Sequence, residues 1–202
     1  MSLFRKIFGS NSNKSKDMLE KKEQHKFLPD EKLPVEETFT INFSNNGGKF
    51  LYCETIDEVQ ANLENIVKEN NWSSKTALIL NKRLKDKFKD FRFNATTKAE
   101  DADFLFTTCE YLIASDGSLL ISSNQIAEKK FAELPKDFIV FATTSQFAET
   151  ISAGLQGIKA KNKTKIPSNI TTIKHFKSEE TDDFLSYGSS SKNLYLLLLE
   201  DL

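Results

Sequence analysis

The run Phe138-Ile-Val-Phe-Ala142 is the strongest strand signal in the sequence. It combines aromatic and β-branched residues with no polar interruption, which is typical of a strand buried on both faces of a parallel sheet. Three further short apolar runs, at residues 104–106, 119–121 and 194–199, lie on either side of it. Together these runs predict the central strands of a mostly parallel sheet.

Helical patterns occur between the apolar runs. Thr55, with Glu58 three residues later, is expected to cap a helix that continues to Asn71. Two more helices are predicted, a short basic one at 84–91 and one at 146–161 that turns Phe147, Ile151 and Leu155 inward. Strands that alternate with helices indicate an α/β fold in which helices flank the sheet.

The segment before this repeat favours a β-hairpin. Phe39, Ile41 and Phe43 alternate with polar residues, and a turn at 45–48 with two glycines precedes the apolar run at 50–53. We therefore expect one α/β domain over residues 36–202 that begins with a β-hairpin. Residues 1–35 are expected to form a flexible basic extension, either a solvated tail or an arm that contacts an anionic surface or partner.

Charge and hydropathy exclude several classes of protein. Lys and Arg number 28 against 29 Asp and Glu, whereas nucleic-acid-binding domains are usually basic. The apolar run at 194–199 is far shorter than the about 20 residues of a membrane helix, and the N-terminus lacks a secretory signal. We expect a cytoplasmic protein with no membrane span and no nucleic-acid partner.

Cysteine and histidine are scarce. Cys53 and Cys109 lie in apolar stretches and form no C-x-x-C pair, so we expect reduced, buried thiols. With His25 and His175 as the only histidines, a multi-histidine metal site cannot be built. We expect no metal and no cofactor.

Three loops carry candidate binding residues. In Ile113-Ala-Ser-Asp-Gly-Ser118, a glycine permits close approach to a ligand and Asp116 is an acceptor, although Asp-Gly is also common in plain turns. The carboxylates of residues 178–183 could hold a cation or act as a base, or they could cap a helix. The hydroxyls of residues 187–192 could meet an anion together with Lys192, or the segment is a surface connector.

The order of three segments, residues 102–108, 113–120 and 134–140, resembles the LUD domain, the family of lactate-utilisation proteins. Family members show an "A-D-x-G-I-T" strand, an "I-A-[DE]-T-G-[ST]" loop and a "P-x-x-H-I-V-V" strand, followed by "G-P-S-x-T-A-D-I-E" and "G-x-H-G-P". In this chain Asp116 replaces the threonine of the loop, and Tyr187 stands where the family has its histidine.

The resemblance implies a fold related to the NagB/RpiA/CoA-transferase-like group. It also implies a link to the oxidation of L-lactate to pyruvate, in which separate iron–sulfur subunits are the partners. The implied ligand-binding residues, for a small anionic ligand, are Thr107, Ser115, Asp116, Gly117, Ser118, Ser178, Asp182 and Gly188.

Three functions stay open at this point. The chain is an accessory or ligand-binding component of lactate utilisation, or an independent enzyme acting on a phosphorylated sugar, a nucleotide or an acyl-CoA. For an enzyme, Glu110, Asp116 or Asp182 would serve as base or nucleophile. The third possibility is a degenerate family member that acts as an interaction module.

Overall fold

A computed structural model of the chain describes residues 33–89, 91, 94–176 and 192–201. Its larger sheet has six strands, all parallel. Their order across the sheet is β1 (Lys49–Cys53), β10 (Asn193–Leu199), β7 (Asp137–Thr143), β4 (Phe104–Thr108), β2 (Thr76–Leu78) and β3 (Asn94–Thr96).

The two longest strands, β7 and β10, lie side by side at the centre of this sheet. Leu196 pairs with Val140, and five consecutive residues of each strand are buried. These are two of the apolar runs that predicted central strands, so the mostly parallel α/β fold is confirmed. A strand buried on both faces needs no polar alternation, which explains why the runs are continuous.

A smaller sheet has four strands in the order β8 (Phe147–Ala148), β5 (Tyr111–Ile113), β6 (Ser118–Ile121) and β9 (Thr171–Ile173). β5 and β6 form an antiparallel hairpin, β8 lies parallel to β5, and β9 lies antiparallel to β6. The chain enters this sheet directly from the carboxyl end of β4, after Cys109 and Glu110.

The described residues contain five α-helices: α1 (Val35–Asn45), α2 (Ile56–Glu69), α3 (Lys82–Lys87), α4 (Ser123–Ile126) and α5 (Ile151–Lys161). Short 3-10 turns lie at Ala99–Asp101, Phe131–Glu133 and Thr144–Gln146. The predicted cap of α2 is confirmed, because the Thr55 hydroxyl accepts a hydrogen bond from the Glu58 amide at 3.2 Å. Apolar residues of α2 and α3 pack on one face of the larger sheet.

The predicted N-terminal β-hairpin is wrong, because its first arm is helix α1. Phe39 and Phe43 are four residues apart, so a helix places both on one side, where they are fully buried and stack at 5.2 Å between ring centroids. Ile41 lies on the other side and is 45% exposed. The second arm is a strand as predicted, but β1 pairs with β10 instead of with residues 39–43.

The predicted inner face of the helix at 146–161 is also wrong. Helix α5 starts at Ile151, and its buried residues are Gly154 and Ile158. A Cβ atom on Gly154 would lie 2.6 Å from Leu120 Cδ1, and one on Gly157 would overlap the Tyr111 hydroxyl. The glycines let α5 approach the β5–β6 hairpin closely, and Ile151 and Leu155 are left exposed.

Among the residues that the structure describes, no helix is both long enough and apolar enough to cross a membrane. The predicted basic extension at 1–35 falls almost entirely outside the described residues, which begin at Leu33. Its flexibility, and the assignment of residues 36–202 to one domain, remain predictions.

The effects of Phe43→Ala and Ile41→Ala on stability show whether residues 39–43 form a helix or the arm of a hairpin. We expect Phe43→Ala to lower the free energy of unfolding by about 3–5 kcal/mol, because it removes a fully buried ring. Ile41→Ala should change it by less than about 0.5 kcal/mol, because that side chain is exposed. Urea denaturation measures both values. Equal losses would contradict the helix, since a hairpin would bury both side chains.

Candidate functional site

The predicted binding loop is the turn that joins β5 to β6. Ile113 pairs with Ser118, and the Gly117 amide donates to the Ile113 carbonyl at 2.9 Å, which closes the turn. Asp116 Oδ1 accepts hydrogen bonds from the Ser118 amide at 3.1 Å and the Ser118 hydroxyl at 2.6 Å. One carboxylate oxygen therefore stabilises the turn, and the side chain of Asp116 has a fixed orientation.

Helix α1 lies directly against this turn. The Asn42 side chain donates to the Ala114 carbonyl at 2.8 Å. Gly117 has φ +68°, and a Cβ atom there would overlap the Asn42 carbonyl carbon and the Phe43 amide nitrogen. Gly117 is therefore required for two reasons, its left-handed backbone and the closeness of α1. The space beside the Gly117 Cα atom is therefore filled by the backbone of α1.

Asn46, the residue after α1, links the turn to the segment that follows β9. Its side chain donates to the Asp116 carbonyl at 2.7 Å, and its own carbonyl accepts from the Phe176 amide at 3.0 Å. Lys174 Nζ lies 3.8 Å from Asp116 Oδ2, with side chains that are 44% and 24% exposed. Asp116 and Lys174 thus form a partly exposed pair of opposite charges beside the start of residues 177–191.

A parallel β-bridge joins Phe176 to Lys192, the residues that flank 177–191 in the sequence. Lys192 is buried, and its ammonium donates to the Leu134 and Pro135 carbonyls at 3.0 and 2.9 Å. Burial lowers the pKa of Lys192. These two carbonyls use two of the three donors of the ammonium, and its contact with an anion stays a prediction. Ser178, Asp182 and Gly188 lie outside the described residues.

The other two described candidates, Thr107 and Ser115, differ in their burial. Thr107 is buried in β4, and its hydroxyl donates to the Gln125 carbonyl at 3.4 Å. Ser115 is exposed, and its amide donates to the Glu149 carbonyl at 3.0 Å. The structure therefore brings Asp116, Gly117 and Ser118 together and leaves Thr107 apart in the core. Their roles in ligand binding remain predictions.

The turn lies at the carboxyl end of β5, in the smaller sheet. The carboxyl edge of the larger sheet carries a separate polar cluster. There, Glu110 Oε1 accepts from the Ser122 hydroxyl at 2.6 Å and from the Asn124 side chain at 2.8 Å. Gln146 donates to the Cys109 carbonyl at 2.6 Å. These contacts join β4 to the segments that follow β6 and β7.

Asp201 forms a second cluster at the same edge. Its carboxylate accepts from the Thr144 hydroxyl at 2.9 Å, and from the amide and hydroxyl of Ser145 at 2.8 and 2.7 Å. Burial alone would raise the pKa of Asp201, but hydrogen bonds from Ser145 and the neighbouring threonines outweigh it and lower the pKa. No local sequence pattern points to this cluster, because its residues are 56 or 57 positions apart.

The two thiols are buried and unpaired with each other. Desolvation raises the pKa of both Cys53 and Cys109, which favours the protonated thiol over the reactive thiolate. Within the described ranges, no group of three His, Cys, Asp or Glu side chains is arranged to hold a metal ion.

The fold and the hairpin turn define an α/β protein with a parallel sheet and a second, smaller sheet. The profile of the LUD domain matches residues 36–199, and the chain belongs to the LUD domain family. A crystal structure of a DUF162 family protein from Deinococcus radiodurans has the same fold, with a TM-score of 0.56 and 12% sequence identity. That comparison covers 83% of this chain and 96% of the other. No curated protein matches the sequence.

Gly117→Ala tests the packing of the turn on α1. We expect the free energy of unfolding to fall by more than about 2 kcal/mol, because the new Cβ adds positive-φ strain and overlaps the α1 backbone. Ser115→Ala, two positions earlier and exposed, is the control and should have almost no effect. Chemical denaturation compares the two. A Gly117→Ala protein as stable as the control would contradict this packing.

Asp201→Asn tests the carboxylate cluster through the pH dependence of stability. A lowered pKa means that ionised Asp201 stabilises the folded state above its unfolded value of 3.8, and this contribution is lost as pH falls through the lower folded-state pKa. The difference in stability between wild type and variant should therefore shrink below pH 3.8. Thermal melts over a pH series measure it, and a difference that stays constant would contradict the assignment.

Proposed function

We propose that this LUD-domain protein is a ligand-binding accessory component of bacterial L-lactate utilisation, located in the cytoplasm. The observation that carries the proposal is the Asp116–Lys174 pair at the start of residues 177–191. It joins the hairpin turn, where the family resemblance places binding residues, to Lys174, which precedes by four positions the next such residue, Ser178. Membership of the LUD domain family supports the link to lactate.

The pair has the chemistry that a small 2-hydroxy acid requires. A carboxylate ligand needs a cation, and Lys174 is a cation with 44% of its side chain exposed. The N···O separation of 3.8 Å to Asp116 exceeds a hydrogen bond, so this contact uses none of the hydrogen-bond donors of the ammonium. A hydroxyl on the ligand needs an acceptor, and Asp116 Oδ2 is an acceptor 3.8 Å from the Lys174 ammonium.

The turn is well suited to hold this acceptor in place. Asp116 Oδ1 is engaged by Ser118, which orients Oδ2 toward Lys174. Asn46 fixes the backbone on both sides, at Asp116 and at Phe176. A site whose polar groups are fixed before binding loses less conformational entropy when the ligand arrives.

Electron transfer in this proposal belongs to separate iron–sulfur subunits. A cluster of the usual kind is held by four cysteine thiolates. This sequence has two cysteines, both buried and with raised pKa values. The chain would therefore bind and present the small anion, and its partners would oxidise it.

A second candidate function is supported by the Glu110 cluster. Ligands of parallel sheets commonly bind at the carboxyl ends of the strands, and Glu110 follows β4 at that edge. An independent enzyme acting on a sugar phosphate, nucleotide or acyl-CoA would use this carboxylate as base or nucleophile. The hydrogen bonds from Ser122 and Asn124 to Glu110 Oε1 hold this carboxylate in a fixed orientation at the strand ends.

The two proposed functions differ in the ligand that should bind and stabilise the protein. We expect L-lactate or pyruvate to raise the melting temperature of the full chain, since a ligand of the folded state stabilises it. Lys174→Gln and Asp116→Asn should each weaken binding by about tenfold or more. Lys98→Gln, which removes another exposed positive charge, 76 positions before Lys174 in the sequence, is the control and should bind as wild type does.

Three results would reject the lactate proposal. These are no stabilisation by either acid, equal affinity in the Lys174→Gln and control proteins, or stabilisation only by a sugar phosphate, nucleotide or CoA ester. If that last stabilisation were lost in Glu110→Gln but not in Asp116→Asn, the independent enzyme would replace the accessory component.

A further inference from the structure

One side of helix α5 exposes aliphatic side chains. Ile151 is 36% exposed and Leu155 is 41% exposed, and Lys159 follows at the same four-residue spacing. Ile166, in the loop after α5, is 50% exposed. We call the side chains of Ile151, Leu155 and Lys159 the α5 face. Its two aliphatic residues and Ile166 are three of the five exposed large apolar residues in the described ranges.

This exposure results from the way α5 packs. Gly154 and Gly157 face the β5–β6 hairpin, where larger residues would overlap Leu120 and Tyr111. Each glycine inside a helix costs about 1 kcal/mol relative to alanine, so the close approach is obtained at the expense of helix stability. Because the glycine side of α5 faces the hairpin, Ile151 and Leu155 lie at the surface and contribute little to the core.

The chain around the α5 face is strongly basic. Residues 150–176 contain no Asp or Glu and include five lysines: Lys159, Lys161, Lys163, Lys165 and Lys174. The whole chain has a net charge of −1, so this region differs from the rest. Lys161 lies over the Tyr111 ring at 4.6 Å, and the other lysines of the α5 loop are exposed.

We propose that the α5 face binds an acidic segment of a partner protein. Aliphatic side chains at the centre and charges at the rim are the usual composition of a protein interface, and lysines at the rim attract carboxylates. This inference does not depend on the identity of the small ligand, because the α5 face contains neither Asp116 nor Lys174.

Other occupants fit the α5 face less well. Single-stranded nucleic acid stacks on aromatic rings, and residues 148–175 contain no Phe, Tyr or Trp. A second copy that docked through the same surface would add lysines without a carboxylate, since residues 150–176 have none. Helices that lie in a bilayer surface present a wide apolar side, whereas α5 exposes two large aliphatic residues.

The test uses the full chain and a fluorescent synthetic helix that has leucines on one face and glutamates on the other. We expect binding by anisotropy that weakens as salt rises. Lys159→Glu with Lys163→Glu should weaken it by about tenfold or more, and so should Leu155→Ser. Lys82→Glu with Lys85→Glu, on the exposed side of α3, is the matched control and should bind normally.

Each contrary result overturns the proposal. No binding of the probe, or equal binding by the Lys159→Glu/Lys163→Glu and control proteins, removes the α5 face as a docking surface. Pelleting with phosphatidylglycerol vesicles without probe binding assigns it to a lipid surface, and a dimer in sedimentation that Leu155→Ser dissociates assigns it to a second copy. A tenfold gain in Glu179→Gln with Glu180→Gln assigns it to the chain's own acidic stretch. Unchanged melting temperatures show that each variant is folded.

Discussion

The contact between Gly117 and the backbone of α1 is the constraint on which the candidate site depends. Because Gly117 has no side chain and a left-handed backbone, the hairpin turn can lie against Asn42 and Phe43. That contact brings Asn46 to the turn, and Asn46 in turn holds Phe176. Lys174, two residues earlier, is thereby placed beside Asp116. A cation and an acceptor from distant parts of the sequence meet because one residue lacks a Cβ atom.

The central strands could be predicted from the sequence because burial on both faces gives an unbroken apolar run, as at residues 138–142 and 194–199. The first element could not, because Phe39 and Phe43 satisfy both a two-residue and a four-residue period. Ile41 is apolar but exposed, so it supported the wrong period. For α5, large apolar residues were expected to face inward, but the hairpin leaves room only for glycines there.

The candidate site was predictable only where it is local. Asp116, Gly117 and Ser118 are consecutive, so their turn chemistry can be read from the sequence. Asn46 and Lys174 are 70 and 58 positions from Asp116 and carry no motif, and only the fold brings them together. The Glu110 and Asp201 clusters are of the same kind, since their partners come from the ends of different strands.

The order of strands in the larger sheet has a consequence for how the chain is made. β10 lies between β1 and β7, so β1, although synthesised early, has its neighbour supplied by residues 193–199. Until the ribosome has released β10, the edges of β1 and β7 that will pair with it carry unpaired amide and carbonyl groups. In a product truncated before β10, β1 would lose its neighbour in this sheet and the long buried strand β7 would become an edge, which exposes it to pairing with other chains.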